Sequence, residues 1–293
     1  MKLQGLNGRL EHNFPLKKLS TWRIGGLAET VFWPQNEEDL VKVWLEAKGE
    51  GIPIRFFGRG SNILFPNEFL PGITIITTQL NQTHWDEQQV KVGAGISLAA
   101  LAREAAQRGL TGLEFGAGIP GTVGGAIVMN AGAHGGSIED VLAKVKIMTM
   151  AGEIKVLEKE DLEFGYRKCS LRDQALILEG VFQLGKGDRE SIKQTMSEYL
   201  SKRKASQPLE YPNAGSVFRN PPGDSAGRLI EKAGWKGKKY GDAQVSEKHA
   251  NFIVNLGNAT ACQVRSLIED IQKDVQEKYG VELKPEVCIV KPE

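Results

Sequence analysis

Apolar residues recur at intervals of three and four through Leu40, Val43, Trp44 and Ala47, a spacing that predicts an amphipathic helix capped by Asn36 and ended by Gly49 and Gly51. The same period links Leu98, Leu101, Ala102, Ala105 and Ala106, with Ser97 at the start and Gly109 at the stop. A longer helix sets Ile192, Thr195, Met196, Tyr199 and Leu200 on one face and ends in the basic polar stretch Ser201 to Gln207, before Pro208. Ala226, Leu229, Ile230 and Ala233 predict a short helix. The last helix has the fullest signal, with Thr260 and Gln263 at capping-box spacing. Its stripe is Val264, Leu267, Ile268, Ile271 and Val275, and Gly280 is its stop.

Between the helices lie runs rich in β-branched residues at 54–57, 73–78, 90–92, 145–150, 154–157, 176–184 and 252–255, which predict strands. A terminal strand is expected from Val281. There Val281, Leu283, Val287 and Ile289 fall near one parity and Glu282, Lys284 and Glu286 on the other, so Glu286 projects away from the core face. Helices alternating with strands of both kinds give an α+β fold class.

Length and charge narrow the picture. At 293 residues the chain holds two domains of about 150 residues each. The basic stretch sets the expected boundary: residues 1–200 form one domain, in two subdomains divided near 80, and 201–293 the other. Hydrophobic residues at 41% and charged residues at 25% describe a globular chain rather than a disordered one. Lys and Arg number 37 against 36 Asp and Glu, a balance that gives no electrostatic reason to expect a nucleic-acid or membrane partner.

The N-terminal MKLQGLNGRLEHNF lacks a signal-peptide core, and no run approaches the roughly 18 apolar residues of a membrane helix, so the cytoplasm is the expected compartment. Cys169, Cys262 and Cys288 form no CxxC pair, and His12, His84, His134 and His249 show no ligand spacing, so no disulfide framework and no metal centre is expected. No oligomeric state follows from these patterns.

The glycines, 34 in all, cluster in loops. The densest runs from Gly116 to Gly125, GAGIPGTVGG, and contains GxGxxG. Glu139 follows at about the interval at which a Rossmann fingerprint places its ribose-binding acid. The context is not a Rossmann one: 110–115 is a poor strand and Pro120 interrupts the turn where a helix should begin. The anion reading survives without that fold, because glycine backbone N–H groups approach a phosphate closely and the segment from Thr122 to Ala126 offers a helix N-terminus. A second loop, Gly58-Arg-Gly-Ser-Asn62, follows the run at 54–57, and Ser61 and Asn62 add side-chain donors. Either loop alone reads as a tight structural turn; the two together, each near a strand, point to a diphosphate ligand.

With Thr21-Trp-Arg-Ile-Gly-Gly26 added, these loops resemble those of flavoenzymes of the vanillyl-alcohol-oxidase (PCMH) type of FAD-binding fold. More closely, the chain resembles the UDP-N-acetylenolpyruvoylglucosamine reductases, the MurB family. The segments that carry the likeness are TWRIGG, GRGSNIL, GAGIPGTVGGAIVMNAGAHG, EFGYR, NAGSVFRNP, AGRLIEKAGWKG, VSEKHANFIVN and the terminal PEV, in order along nearly the whole chain. No counterpart of the tyrosine-bearing insertion of longer members is present, which fits the shorter subclass.

The resemblance implies noncovalent FAD held by the first domain, a UDP-sugar held by the second, and NADPH as reductant. The implied reaction turns the enolpyruvyl ether of UDP-N-acetylglucosamine into the lactyl ether of UDP-N-acetylmuramate, for peptidoglycan. Carried over by motif, the substrate arginine is Arg167, the proton-donating serine Ser216 and the catalytic glutamate Glu286; Tyr166 and Asn220 accompany them at the substrate. The implied cofactor positions are Arg23 in the first motif and Gly58, Arg59, Gly60, Ser61 and Asn62 in the second. In the long loop they are Gly116, Gly118, Ile119, Pro120, Gly121, Thr122, Gly124 and Gly125, followed by Asn130, Ala131 and Gly132. Lys204 and Tyr211 stay outside the catalytic set.

The chemistry needs these residue types. Hydride delivered to the methylene carbon drives charge toward the carbon that bears the carboxylate. Arg167 binds that carboxylate through charge-assisted hydrogen bonds that strengthen as charge builds, and a protonated Glu286 donates to the same group. Ser216, a weak acid, serves because an enediolate-like carbon is a strong base. Two other readings share the glycine loops: an FAD-dependent oxidase of the same fold acting on a sugar or lactone, and a nucleotide-binding protein without catalysis.

Overall fold

In the computed structural model residues 5–292 are described; the first four residues of the N-terminal segment lie outside them. Each predicted helix forms. In Glu37–Gly49 the Asn36 side chain accepts the Asp39 N–H at 2.8 Å and the predicted apolar face is buried. Leu98–Arg108 stops at Gly109, whose φ of 73° is a left-handed value that glycine adopts without cost. Ala261–Tyr279 carries the complete capping box of Thr260 and Gln263 and stops at Gly280. Arg189–Ser206 continues through most of the basic stretch, because Lys, Arg and Ala propagate a helix well and Pro208 disfavours it only just beyond.

The described chain forms two compact units. The first comprises the chain up to Glu11, Thr30–Arg59 and Gly72–Lys202; the second comprises His12–Glu29, Gly60–Pro71 and the chain from Arg203 onward. In the first, a five-stranded antiparallel sheet runs Ile154–Glu158, Leu142–Thr149, Ala175–Gln183, Gln89–Gly93, Thr83–Asp86. Helices Leu98–Arg108 and Val123–Val128 bury Leu98, Leu101, Val123 and Ile127 against Val90, Val92, Val145 and Phe182 of that sheet. A separate cluster holds helix Glu37–Gly49, through Leu40, Val43 and Trp44, on Phe32, Ile73 and Ile75. Strand Ile54–Phe57, which leads into the second glycine loop, pairs in parallel with Ile73 to Ile76.

In the second unit, helices Ala226–Lys232 and Ala261–Tyr279 bury Leu229, Ile230, Val264, Leu267 and Ile271 with Trp22, Val217, Phe218 and Ile253. Its three-stranded antiparallel sheet runs Lys239–Tyr240, Ala243–Val245, Ile253–Asn255. The terminal strand expected from Val281 does not form. The segment makes one isolated bridge, Phe218 to Pro285, and then a two-residue strand, Cys288–Ile289, parallel to Ile63–Leu64. Pro285 has no N–H to offer a strand on the side away from Phe218. The alternation persists in part: Leu283 and Val287 are buried, Glu282 and Lys284 exposed and Glu286 half-buried.

Strands Gly8–Pro15 and Leu27–Pro34 were not predicted. The first reads GRLEHNFP, with too few apolar residues to show a period of two.

Candidate functional site

In the first unit the two glycine loops touch. A Cβ on Gly58 would stand 2.3 Å from the Thr122 Oγ1, so only glycine lets the end of the second loop lie on the first. Gly124 is as constrained: its Cβ would meet that of Ala94 at 2.9 Å. Gly116, Thr122 and Gly124 are buried, whereas Gly118, Ile119, Pro120, Gly121 and Gly125 keep accessible surface, as do Gly58 and Arg59.

The helix expected after Thr122 forms as Val123–Val128, but its N-terminal donors are taken by the protein. Val123 N–H donates to the Ile96 carbonyl at 2.8 Å, Gly124 N–H to that of Ala94 at 2.9 Å, and Gly125 N–H to the Thr122 side chain at 3.3 Å. The sequence expectation of a helix N-terminus open to a pyrophosphate is therefore corrected. The accessible backbone is that of the preceding turn, Gly118 to Gly121.

Past this helix, Asn130 is buried at 6% exposure and adopts a φ of 39°. Its amide NH2 donates to the Glu139 carboxylate and to the Gly165 carbonyl, each at 3.2 Å, and its oxygen accepts the Glu139 N–H at 3.1 Å. Glu139, at the Rossmann-like interval, thus engages a side chain of its own unit. Gly165 precedes a two-residue turn, Tyr166-Arg167, that joins Phe164–Gly165 to Lys168–Cys169. The Arg167 guanidinium lies over the Tyr166 ring, 5.2 Å from its centroid, and the Arg167 φ is 56°. Asn130 therefore ties the long glycine loop to the hairpin that bears Arg167, a link with no local sequence signal.

In the second unit, Trp22 of the first motif is fully buried and donates its indole N–H to the Ile253 carbonyl at 2.7 Å. Arg23 beside it is exposed, with a φ of 57°. Gly60 lies so close to Leu19 that a Cβ would overlap the Leu19 carbonyl oxygen at 1.9 Å, which locks the GRGSN loop to the TWRIGG loop.

The serine and glutamate candidates, far apart in sequence, sit on adjoining segments of this unit. Glu286 N–H donates to the Val217 carbonyl at 2.7 Å, and Arg219 N–H to that of Lys284 at 2.9 Å. Ser216 follows a tight turn in which the Asn213 side chain accepts the Gly215 N–H at 2.9 Å. Asn62, predicted to contact cofactor, donates its amide to the Glu286 carbonyl at 3.0 Å. Asn220 is exposed, and its oxygen accepts the Ala226 N–H at 3.1 Å, which steadies the start of helix Ala226–Lys232.

Arg23, Asn130 and Arg167 are non-glycine residues held at positive φ, a conformation that costs free energy and concentrates at functional sites. Within the first unit, the accessible backbone of Gly58 and of Gly118 to Gly121, with the exposed Arg59 beside it, forms a donor set suited to a diphosphate, so these residues fit a dinucleotide cofactor.

Comparison with known proteins agrees. Residues 28–158 match the family described as FAD binding domain, and residues 207–290 match the C-terminal domain of UDP-N-acetylenolpyruvoylglucosamine reductase. The UDP-N-acetylenolpyruvoylglucosamine reductase of Geobacillus kaustophilus is 44% identical over 277 residues, 94% of this chain and 91% of that protein. That of Desulforamulus reducens is 44% identical over 292 residues, 99% and 96% of the two chains. The crystal structure of the Thermus caldophilus reductase, MurB, superposes with a TM-score of 0.85 at 37% identity, covering 97% of this chain and all of that one (100%).

Proposed function

This chain belongs to the UDP-N-acetylenolpyruvoylglucosamine reductase family, and from that membership we propose how its own residues carry out the reduction of the enolpyruvyl UDP-sugar to UDP-N-acetylmuramate. The enzyme is an FAD-dependent oxidoreductase of the PCMH-type fold. By sequence the cofactor is assigned to residues 1–200 and the UDP-sugar to 201–293, a division that differs from the two compact units in that 12–29 and 60–71 belong with the chain from Arg203 onward. FAD, when bound, supplies the hydride it takes from NADPH. The accessible backbone of Gly58 and of Gly118 to Gly121 and the exposed Arg59, all of the first unit, would hold its diphosphate.

The rest is done by three side chains. Arg167 binds the substrate carboxylate as a planar fork and stabilises the charge that accumulates there once hydride has entered the methylene carbon. Glu286 shares that carboxylate through a hydrogen bond. Ser216 gives its hydroxyl proton to the carbon between carboxylate and ether oxygen, and the alkoxide recovers a proton from solvent. NADPH and one proton are consumed, and two hydrogens are added across the carbon–carbon double bond.

The observation that carries this reading is the pairing of the Ser216 and Glu286 segments, closed by the Glu286 N–H on the Val217 carbonyl at 2.7 Å. Among the described residues no helix is long and apolar enough to cross a membrane; a UDP-linked substrate and NADPH assign the reaction to the cytoplasm. The test is NADPH consumption that depends on the enolpyruvyl UDP-sugar, with a product heavier by two hydrogens. Equal consumption with UDP-N-acetylglucosamine, or oxygen-dependent turnover of sugar alcohols without NADPH, sinks it.

A further inference from the structure

The Val217-Phe218 segment, which carries Ser216 at its head, is held from two sides. On one side lies the segment Lys284 to Val287, already described. The Phe218 to Pro285 bridge sits between the Arg219 and Glu286 hydrogen bonds, so it is a pair that does not bond to itself, and the Phe218 N–H and C=O point away from Pro285. Among the described residues no strand meets them there. Asn251 does: its side-chain oxygen accepts the Phe218 N–H at 2.9 Å and its NH2 donates to the Phe218 carbonyl at 2.8 Å. The Asn251 backbone carbonyl also accepts the Val217 N–H at 2.8 Å.

Asn251 is 3% exposed, in a run whose neighbours Ala250, Phe252, Ile253 and Val254 are all buried and apolar. A carboxamide in that setting is costly unless both ends are satisfied, and this one spends both on a single residue's backbone. The amide thus stands in for a missing strand, two residues from the hydroxyl that delivers the proton.

We infer that Asn251 is a positioning residue for Ser216, setting the reach of its hydroxyl and therefore the rate of proton delivery, while leaving flavin reduction by NADPH untouched. The inference rests on the proposed role of Ser216. Asn251→Asp keeps shape and acceptor but loses the donor to the Phe218 carbonyl and adds a buried charge. Asn251→Gln keeps donor and acceptor on a longer stem.

Two measurements decide. Amide hydrogen exchange at Phe218 reads the clamp directly; it should accelerate at least about tenfold in Asn251→Asp, beyond any change at Ile268 in the helical core. In anaerobic single turnovers of the holoenzyme, Asn251→Asp should slow reoxidation by the enolpyruvyl sugar roughly 10- to 100-fold, a loss of the size a displaced general acid produces. Reduction by NADPH should stay within about twofold. In a Ser216→Ala background the same change should cost less than about twofold, since the group it positions is gone.

Full multiplicative loss in the Ser216→Ala background, equal losses in both half-reactions, or wild-type reoxidation in the variant overturns the inference. If Asn251→Asp does not fold, Asn251→Gln is held to the same criteria, and failure of both to fold makes Asn251 a purely structural residue, which also overturns it. Failure of the wild-type holoenzyme to be reoxidised by the sugar defeats instead the functional reading beneath it.

Discussion

Gly58 and Thr122, from two loops well separated in sequence, approach so closely that a Cβ on Gly58 would reach to 2.3 Å of the Thr122 Oγ1 and 3.0 Å of its Cγ2. That Oγ1 is also the acceptor for the Gly125 N–H. Gly58→Ala should therefore push the loops apart, destabilise the protein by about 1–3 kcal/mol and weaken FAD retention. Thr122→Ala removes the obstructing atoms, so the double variant should lose less than the sum of the two singles. Urea unfolding and flavin retained on gel filtration are the readouts; strict additivity contradicts the contact.

Arg167 allows function to be separated from stability. Its φ of 56° suits glycine better than arginine, so Arg167→Gly should unfold at the same temperature as the wild type or higher. The same change removes the guanidinium that meets the substrate carboxylate and should lower kcat/KM by roughly 10²- to 10³-fold. Loss of activity in step with loss of thermal stability would place Arg167 in the fold rather than at the substrate.

The His249 ring carries a pH dependence whose sign is fixed. Its Nδ1 accepts the Asn251 N–H at 3.2 Å, and burial pushes its pKa below the ordinary imidazole value; nearby Lys236 adds to that shift and Glu231 opposes it. The unfolded chain then binds the proton first as pH falls. Stability from this residue is present above about pH 6.5 and is lost between that value and the lower native one. His249→Gln should flatten the difference in unfolding free energy measured at about pH 7.5 and about pH 5.5, on either side of the ordinary imidazole value. An unchanged difference contradicts a native neutral imidazole.

Much of this fold is legible in the sequence where the determinants are local. Helix Ala261–Tyr279 is announced by Thr260, its stripe and Gly280, all within one window, and the glycine loops mark themselves by composition. What stays hidden is what the chain joins over distance. Trp22 bonds to Ile253 across an interval of 231 residues and Asn62 to Glu286 across 224, and nothing in either window names its partner. The parity around Glu286 predicts a strand, but the segment pairs only through an isolated bridge at Pro285 before the two-residue strand Cys288–Ile289. The glycines and helix start at Val123 read in the sequence as an anion site, and the Ala94 and Ile96 carbonyls and the Thr122 side chain show that its donors are spent.

The most direct test of the account is an anaerobic visible spectrum of the purified holoenzyme, recorded before NADPH, after NADPH, and after the enolpyruvyl UDP-sugar. The account predicts a flavin band that NADPH bleaches and that returns stoichiometrically with that sugar, and a return slowed about 10²- to 10⁴-fold in Ser216→Ala with the bleaching step intact. Absence of any bindable flavin, or a bleached band that oxygen restores and the sugar does not, would contradict it.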